Sequence, residues 1–103
     1  MIALNKNPGQ ACRQLLTAFF TKSPNTRLQS KANCLLKMLL AQQIPMAGKP
    51  GGWAGGIIYA VANQGFLPCG VPGLLNQECE ELFNVSMGTI YRRAWHIKRS
   101  LSL

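Results

Sequence analysis

Residues 76–101, NQECEELFNVSMGTIYRRAWHIKRSL, decide the fold because two helix patterns stand there only three residues apart. The first pattern covers residues 76–83, with Asn76 as its predicted N-cap. Acidic side chains fall in its first turns, where the helix dipole favours negative charge. They are Glu78, Glu80 and Glu81. The sequence therefore predicts a short helix with acidic residues near its N-terminus.

The connection after this helix has the chemistry of a tight turn. Asn84 tolerates the left-handed backbone conformation that such turns need, and Val85 is predicted to fill the space between the helices. Ser86 is predicted to cap a second helix over residues 87–101. Apolar residues recur on that helix at spacings of four, three and four, which predicts a buried stripe of Ile90, Ala94, Ile97 and Leu101. Residues 76–101 are therefore predicted to form a helix-turn-helix.

Three further helices are predicted before this pair. Apolar residues recur at offsets of three, four and seven over residues 10–20 and 26–43, which is the helix period. Residues 53–64 are apolar nearly all round, which favours a buried helix, and a strand over residues 57–61 is the alternative. Clusters of proline, glycine and asparagine predict loops at residues 23–25, 44–52 and 65–73. Five helices without a convincing strand predict an all-α fold.

Length and charge narrow the class of protein. The chain has 103 residues, which suits one domain spanning residues 1–103 and excludes a barrel enzyme or a two-domain dehydrogenase. Eleven Lys and Arg against three acids give a formal net charge of +8. Residues 1–77 carry +7 of this charge, and residues 78–103 carry +1. The scarcity of acids indicates a polyanionic partner such as nucleic acid, and a solvated basic surface is the alternative.

Cysteine spacing and hydropathy give no sign of a metal site or a membrane segment. The cysteines at positions 12, 34, 69 and 79 form no C-x-x-C pair, so reduced and mostly buried thiols are expected, with no metal bound. The N-terminus lacks the apolar segment of a signal peptide. The longest apolar run, residues 53–62, is about half the roughly twenty residues that a membrane span needs. A cytoplasmic protein is expected, associated with the nucleoid if the host is bacterial.

The side chains that catalysis requires are scarce. Three clustered acids and the single His96 offer little for general acid–base chemistry. Nothing in the spacing brings His96 to a cysteine, and residues 48–56 lack the G-x-x-x-x-G-K-[ST] order of a phosphate-binding loop. The sequence therefore predicts neither an enzyme nor a catalytic residue, and neither a cofactor nor a small-molecule substrate.

The second helix of the predicted pair carries the candidate DNA contacts, since such helices enter the major groove. Arginine pairs with guanine, and threonine contacts base edges or the thymine methyl group. Arg92, Arg93 and His96 are expected on the face away from Ile90 and Ile97. Basic residues near the helix end are expected to contact phosphates. The predicted DNA-binding residues are Ser86, Gly88, Thr89, Arg92, Arg93, His96, Lys98 and Arg99.

Each of these features also has an interpretation that does not involve DNA. Any pair of helices joined by a polar turn gives a similar pattern, and a basic last turn suits the dipole of any helix. His96 is then an ordinary surface histidine. Tyr91 and Trp95 are expected in the core, with contact to a sugar-phosphate backbone as the alternative.

The second half of the chain, residues 49–101, resembles the end of a cyclin-like repeat. It is most similar to the core repeats of general transcription factor IIB and its archaeal relative, and also to short bacterial proteins with a tryptophan-alanine helix and a terminal helix-turn-helix. The likeness rests on five segments: KP at 49–50, WAGGIIYA at 53–60, ECEELF at 78–83, VS at 85–86 and TIYR at 89–92. It implies promoter-DNA binding through the last helix pair, with contacts from Ser86, Thr89, Arg92 and Arg93. The family carries two repeats and this chain one, which implies a homodimer or a protein-binding cyclin box.

Together, the residues and the resemblance predict a transcriptional regulator that binds double-stranded DNA through residues 76–101. The +7 segment is expected to add phosphate contacts, which makes the affinity sensitive to salt. A cyclin-like protein-interaction module without DNA binding is the first alternative. A binder of single strands or RNA is the second, and it requires aromatic side chains exposed within a basic stripe.

Overall fold

The computed structural model of the chain describes residues 8–62 and 76–101, and this part of the chain forms five α-helices. They are α1 (Pro8–Lys22), α2 (Thr26–Ala41), α3 (Pro50–Ala62), α4 (Asn76–Phe83) and α5 (Met87–Ser100). No strand occurs in these ranges, so the prediction of an all-α fold is confirmed and the strand alternative for residues 57–61 is wrong. The loop predicted at residues 65–73 lies outside the described ranges.

Helix α2 is bounded by two local hydrogen-bonding motifs. The Asn25 side chain accepts a hydrogen bond from the Leu28 amide at 3.0 Å, which satisfies one unpaired donor at the helix start. At the other end Gln43 adopts a φ of 55°, and the Ile44 amide donates back to the Leu39 carbonyl. This pattern is a Schellman motif, which ends the helix at Ala41 and not at the predicted residue 43.

Helix α3 begins three residues earlier than the sequence predicts. Pro50 occupies the first helical position, which suits a residue that has no amide donor. Gly51 follows within the helix and is buried, because the end of α4 packs directly against it. A β-carbon at Gly51 would overlap the carbonyl oxygen of Phe83. The glycine is therefore needed for close packing, and its low helix propensity is offset by that contact.

The buried α3 is the centre of the molecule and packs against all four other helices. Its contact with α5 is the most extensive, and a β-carbon at Gly56 would stand 2.7 Å from the β-carbon of Arg93. The predicted apolar stripe of α5 faces α3 and is buried, as expected. On the other side of the core, the Phe19 and Phe83 rings stack at 5.7 Å and join α1 to α4. This packing fixes which face of α5 meets solvent.

The turn between α4 and α5 follows the prediction closely. Asn84 has a φ of 55°, the left-handed conformation expected of it, and Val85 packs against the core. The Ser86 side chain accepts from the Thr89 amide at 3.3 Å and caps α5. Helix α4 spans Asn76–Phe83, as predicted, but Asn76 is its first helical residue and not the capping residue before it.

The thiols that the structure describes are all free. Cys12 and Cys79 are buried, Cys34 is exposed, and Cys69 lies outside the described residues. Burial raises the pKa of the Cys12 thiol to about 12, against a small opposing effect of Arg13. Burial, with a contribution from Glu78, also raises the pKa of Cys79. Both buried thiols are therefore protonated at neutral pH. Among the described helices, none has the length and hydropathy needed to cross a membrane.

Candidate nucleic-acid interface

Three polar side chains at the start of α5 form a connected chain of hydrogen bonds. The hydroxyl groups of Ser86 and Thr89 lie 3.2 Å apart, and an Nη atom of Arg92 donates to the Thr89 hydroxyl at 3.1 Å. Ser86 and Arg92 are exposed and Thr89 is half-buried. The structure therefore brings three of the predicted contact residues together at one end of α5. Gly88 lies exposed between them.

A carboxylate caps the same end of α5, which sequence reasoning missed. The Met87 amide donates to an oxygen of Glu80 at 2.8 Å, across the turn. Glu80 was expected only to suit the dipole of its own helix, but it also satisfies an unpaired donor of the next one. The Thr89 amide already donates to Ser86, and the Met87 amide already donates to Glu80. An anion at the start of α5 would therefore contact side chains and not these two amides.

The remaining two acids lie away from α5 in the described structure. Glu78 and Glu81 share a depression of about 480 Å³ with Lys22 at the end of α1. Helix α5 itself contains no acidic residue. All three acidic side chains of the chain are therefore on α4, and Glu80 contacts α5 at the Met87 amide.

The sequence predicted Arg92 and Arg93 on the same solvent-exposed face of α5. The structure places Arg93 against the core instead. Its side chain is half-buried and packs across Gly52 and Gly56 of α3. The guanidinium donates to the Ala47 carbonyl at 3.1 Å and lies 4.8 Å from the centroid of the Trp53 ring. The expectation that it points away from the apolar stripe is wrong, because the glycines of α3 leave room for it against the core.

His96 lies at the edge of this arrangement. It is exposed, and its ring meets the Trp53 ring at 5.4 Å in an edge-on geometry. The indole nitrogen of Trp53 donates to the Ala47 carbonyl at 2.8 Å, so this hydrogen bond adds to the ring contacts with Arg93 and His96 in holding the buried tryptophan in place. His96 follows Arg92 by four residues, about one helical turn, and borders the same surface.

The aromatic residues of α5 are exposed, so the expectation that they belong to the core is wrong. Tyr91 is 42% exposed and Trp95 is 63% exposed. The guanidinium of Arg99 lies 5.0 Å from the centroid of the Trp95 ring. Tyr91 and Trp95 each follow a residue of the buried stripe directly, which places them about 100° further round the helix. That offset is the signal in the sequence that could have placed them outside the core.

Two open depressions border this surface. The larger, about 1000 Å³, is lined along α5 by Tyr91, Arg92, Arg93, Trp95, His96, Arg99 and Ser100. The smaller, about 430 Å³, is lined by Tyr59, Tyr91, Ala94, Trp95 and Lys98. The described lining residues of both include bases and aromatic rings and no acid. We call the exposed side chains Tyr91, Arg92, Trp95, His96 and Arg99 the α5 face.

The described residues bring no three histidine, cysteine or acidic side chains together in a way that could hold a metal ion. No protein-family model matches this sequence, and no curated protein or solved structure matches the chain. The likeness to cyclin-like repeats therefore rests on the quoted sequence segments, and it stays a prediction, as does the single domain over residues 1–103.

Proposed function

We propose that this protein binds double-stranded DNA through α5 and acts as a transcriptional regulator of cyclin-like fold. One observation carries the proposal: the α5 face presents Arg92 and Arg99 beside polar and aromatic groups, on a helix without a single acid. Neutralising phosphates supplies most of the affinity in protein–DNA complexes. Helices α4 and α5 then serve as the helix-turn-helix.

The first half of α5 supports a role in reading bases. Recognition helices contact base edges through residues near their N-termini. Thr89 and Arg92 stand there, already oriented toward each other by a hydrogen bond of 3.1 Å. An arginine held in this way loses less side-chain entropy on binding guanine.

The second half of α5 supports a role in positioning. Arg99 and Lys98 lie in the last turn, where contacts to phosphates would fix the register of the helix on the duplex. His96 borders the face between the two halves. Arg93, held against Trp53, contributes by shaping the surface, so we assign it a positioning role and no direct contact.

Duplex DNA as the partner implies a cytoplasmic location, at the nucleoid in a bacterial host. A protein with a single recognition helix reads one half-site, and a homodimer would supply the second. No cofactor is needed for this activity.

Fluorescence anisotropy of a labelled duplex at several salt concentrations tests the proposal. The variant Lys98→Ala with Arg99→Ala, which removes the two residues assigned to phosphates, is compared with Arg13→Ala and Arg27→Ala, two exposed arginines of α1 and α2 that carry the same total charge. Loss of two phosphate contacts lowers the slope of log affinity against log salt by about two. We expect this for the α5 variant and a smaller change for the control. A slope of the α5 variant equal to that of the wild type would refute α5 as the interface.

A protein partner is a second candidate function, favoured by the exposed pair of Trp95 and Arg99. These two residue types are enriched where protein interfaces concentrate their binding energy. Size-exclusion chromatography with light scattering tests the simplest case, a second copy of this chain. A dimer that the Trp95→Ala variant abolishes supports it, and a monomer at all concentrations excludes self-association.

A further inference from the structure

Trp95 projects from the middle of the α5 face and separates the two depressions. It lines both of them, and 63% of its surface is exposed. Large aromatic side chains favour burial, and an exposed one usually serves a contact. Because the indole borders both depressions, a ligand in either one would contact it.

The neighbours of Trp95 along the helix extend this flat surface. Tyr91 stands one turn before it and Arg99 one turn after it, so three planar groups follow one another at the pitch of the helix. The Tyr91 ring meets Tyr59 at 5.1 Å, and its hydroxyl accepts a hydrogen bond from Asn76 at 3.4 Å. Contacts from α3 and α4 therefore hold the tyrosine ring in place before any ligand binds.

The shape of these groups suits the faces of nucleobases more than their edges. In a paired duplex each base shows only its edge in the groove, because its faces are stacked inside. An indole or phenol ring stacks on a base face, which only an unpaired and unstacked base presents. The guanidinium of Arg99 lies over the Trp95 ring, 5.0 Å from its centroid, so a base would stack on the other face of the indole while Arg99 meets an adjacent phosphate.

Resting on the nucleic-acid binding proposed above, we propose that Trp95 stacks on an unpaired base, and that the preferred ligand is duplex DNA interrupted by a single-stranded segment. Tyr91 forms the second stacking surface. Arg99 neutralises a flanking phosphate, and Arg92 keeps the base-reading role proposed above. The surface thus recognises the place where pairing is lost, in addition to the charge of the duplex.

A lipid surface would require a different arrangement of α5. Amphipathic helices that bind membranes bury their apolar side among the acyl chains. In this protein the apolar side, with Ile90 and Ile97 fully buried, packs in the core. Only Tyr91 and Trp95 remain to enter a bilayer, and charged side chains flank them. The observations therefore favour nucleic acid.

The test compares a fully paired labelled duplex with the same duplex containing a short single-stranded gap. Trp95→Leu removes the ring, Trp95→Phe keeps one, and circular dichroism confirms that both variants fold. We expect the wild type to bind the gapped duplex roughly tenfold more tightly than the paired one, since one base stack contributes about that much. The ratio of the two dissociation constants should fall to about one in Trp95→Leu and persist in Trp95→Phe.

Tryptophan fluorescence gives a second readout, because Trp53 is buried and Trp95 is exposed. The gapped duplex should quench the emission of the wild type and leave that of Trp95→Phe nearly unchanged. Equal affinity for both duplexes, or a preference that survives in Trp95→Leu, would overturn this inference and leave the duplex binding intact. No binding to either DNA at low salt would overturn both proposals. A spectral shift with phosphatidylserine vesicles and none with the gapped duplex would assign the surface to lipid instead.

Discussion

The guanidinium of Arg93 lies 4.8 Å from the centroid of the Trp53 ring, and both side chains donate a hydrogen bond to the same acceptor, the Ala47 carbonyl. This contact joins α5, α3 and the segment between α2 and α3. One of the two adjacent arginines is thereby committed to the fold, while Arg92 remains exposed. Of these two adjacent arginines, Arg93 therefore stabilises the fold, and Arg92 is the one available for binding.

Replacing Arg93 with alanine should destabilise the protein by about 1–3 kcal/mol, since a charged hydrogen bond and a cation–π contact are lost. Arg93→Lys should recover only part of this, because an ammonium group cannot lie flat on the indole ring while reaching Ala47. Urea denaturation measures the free energy of unfolding. Arg92→Ala is the matched control and should stay within about 0.5 kcal/mol of the wild type. Equal losses at the two positions would contradict the division of roles.

Gly51 at the start of α3 and Gly88 at the start of α5 should respond to alanine substitution in opposite ways. Gly51→Ala should cost about 1–3 kcal/mol, because the added methyl group overlaps the Phe83 carbonyl and the backbone must shift. At Gly88 the nearest atom to an added β-carbon is the Ser86 oxygen at 3.7 Å, so alanine fits there. Gly88→Ala should stabilise the protein by about 0.5–1 kcal/mol through helix propensity. Thermal unfolding of both variants would show melting temperatures moving in opposite directions.

Features set by local chemistry could be predicted from the sequence. Asn84 and Ser86 follow from what a tight turn and a helix start require, and the stripe containing Ile90 follows from the helix period. Asn76 was misplaced by one position, and Pro50 begins α3 earlier than expected. Such boundaries depend on tertiary contacts as well as on residue preference.

Features set by distant parts of the chain could not be predicted. The carbonyl that Arg93 reaches belongs to Ala47, which lies 46 positions away, and no local pattern connects them. The exposure of Trp95 depends on α3 covering only one side of α5, while the residue type alone suggests burial. Binding of unpaired bases requires exposed aromatic side chains among basic ones, which the sequence did not predict. The exposed Tyr91 and Trp95 meet this requirement.

Glu80 links the two helices of the C-terminal pair, and its removal should weaken their connection. Glu80→Ala should cost about 1–2 kcal/mol, because the Met87 amide loses a charged acceptor at 2.8 Å. Glu80→Gln keeps an acceptor oxygen and should lose less. Glu81→Ala removes an exposed carboxylate from the same helix and serves as the control. Hydrogen exchange of the Met87 amide should accelerate in Glu80→Ala and stay slow in the control.

Because of Cys12, the free energy of unfolding should fall as the pH rises through the alkaline range. Burial raises the pKa of its thiol to about 12, from an ordinary value of 9.0. Between these two values the unfolded chain loses the thiol proton while the folded chain keeps it, so ionisation favours unfolding. The contribution of the neutral thiol is fully present below pH 9.0 and declines as the pH rises toward about 12.

The measurement is the free energy of unfolding of wild type and Cys12→Ala at several pH values from neutral to strongly alkaline. Cys12→Ala should be less stable at neutral pH, because removing a fully buried sulfur leaves a cavity in the core. The difference between the two proteins should then shrink above pH 9.0, since only the wild type has the Cys12 thiol, which ionises in the unfolded chain and stays protonated in the folded one. All other side chains are common to the two proteins and cancel in this difference. Parallel curves would show that Cys12 ionises as easily in the folded chain as in the unfolded one, contrary to its burial.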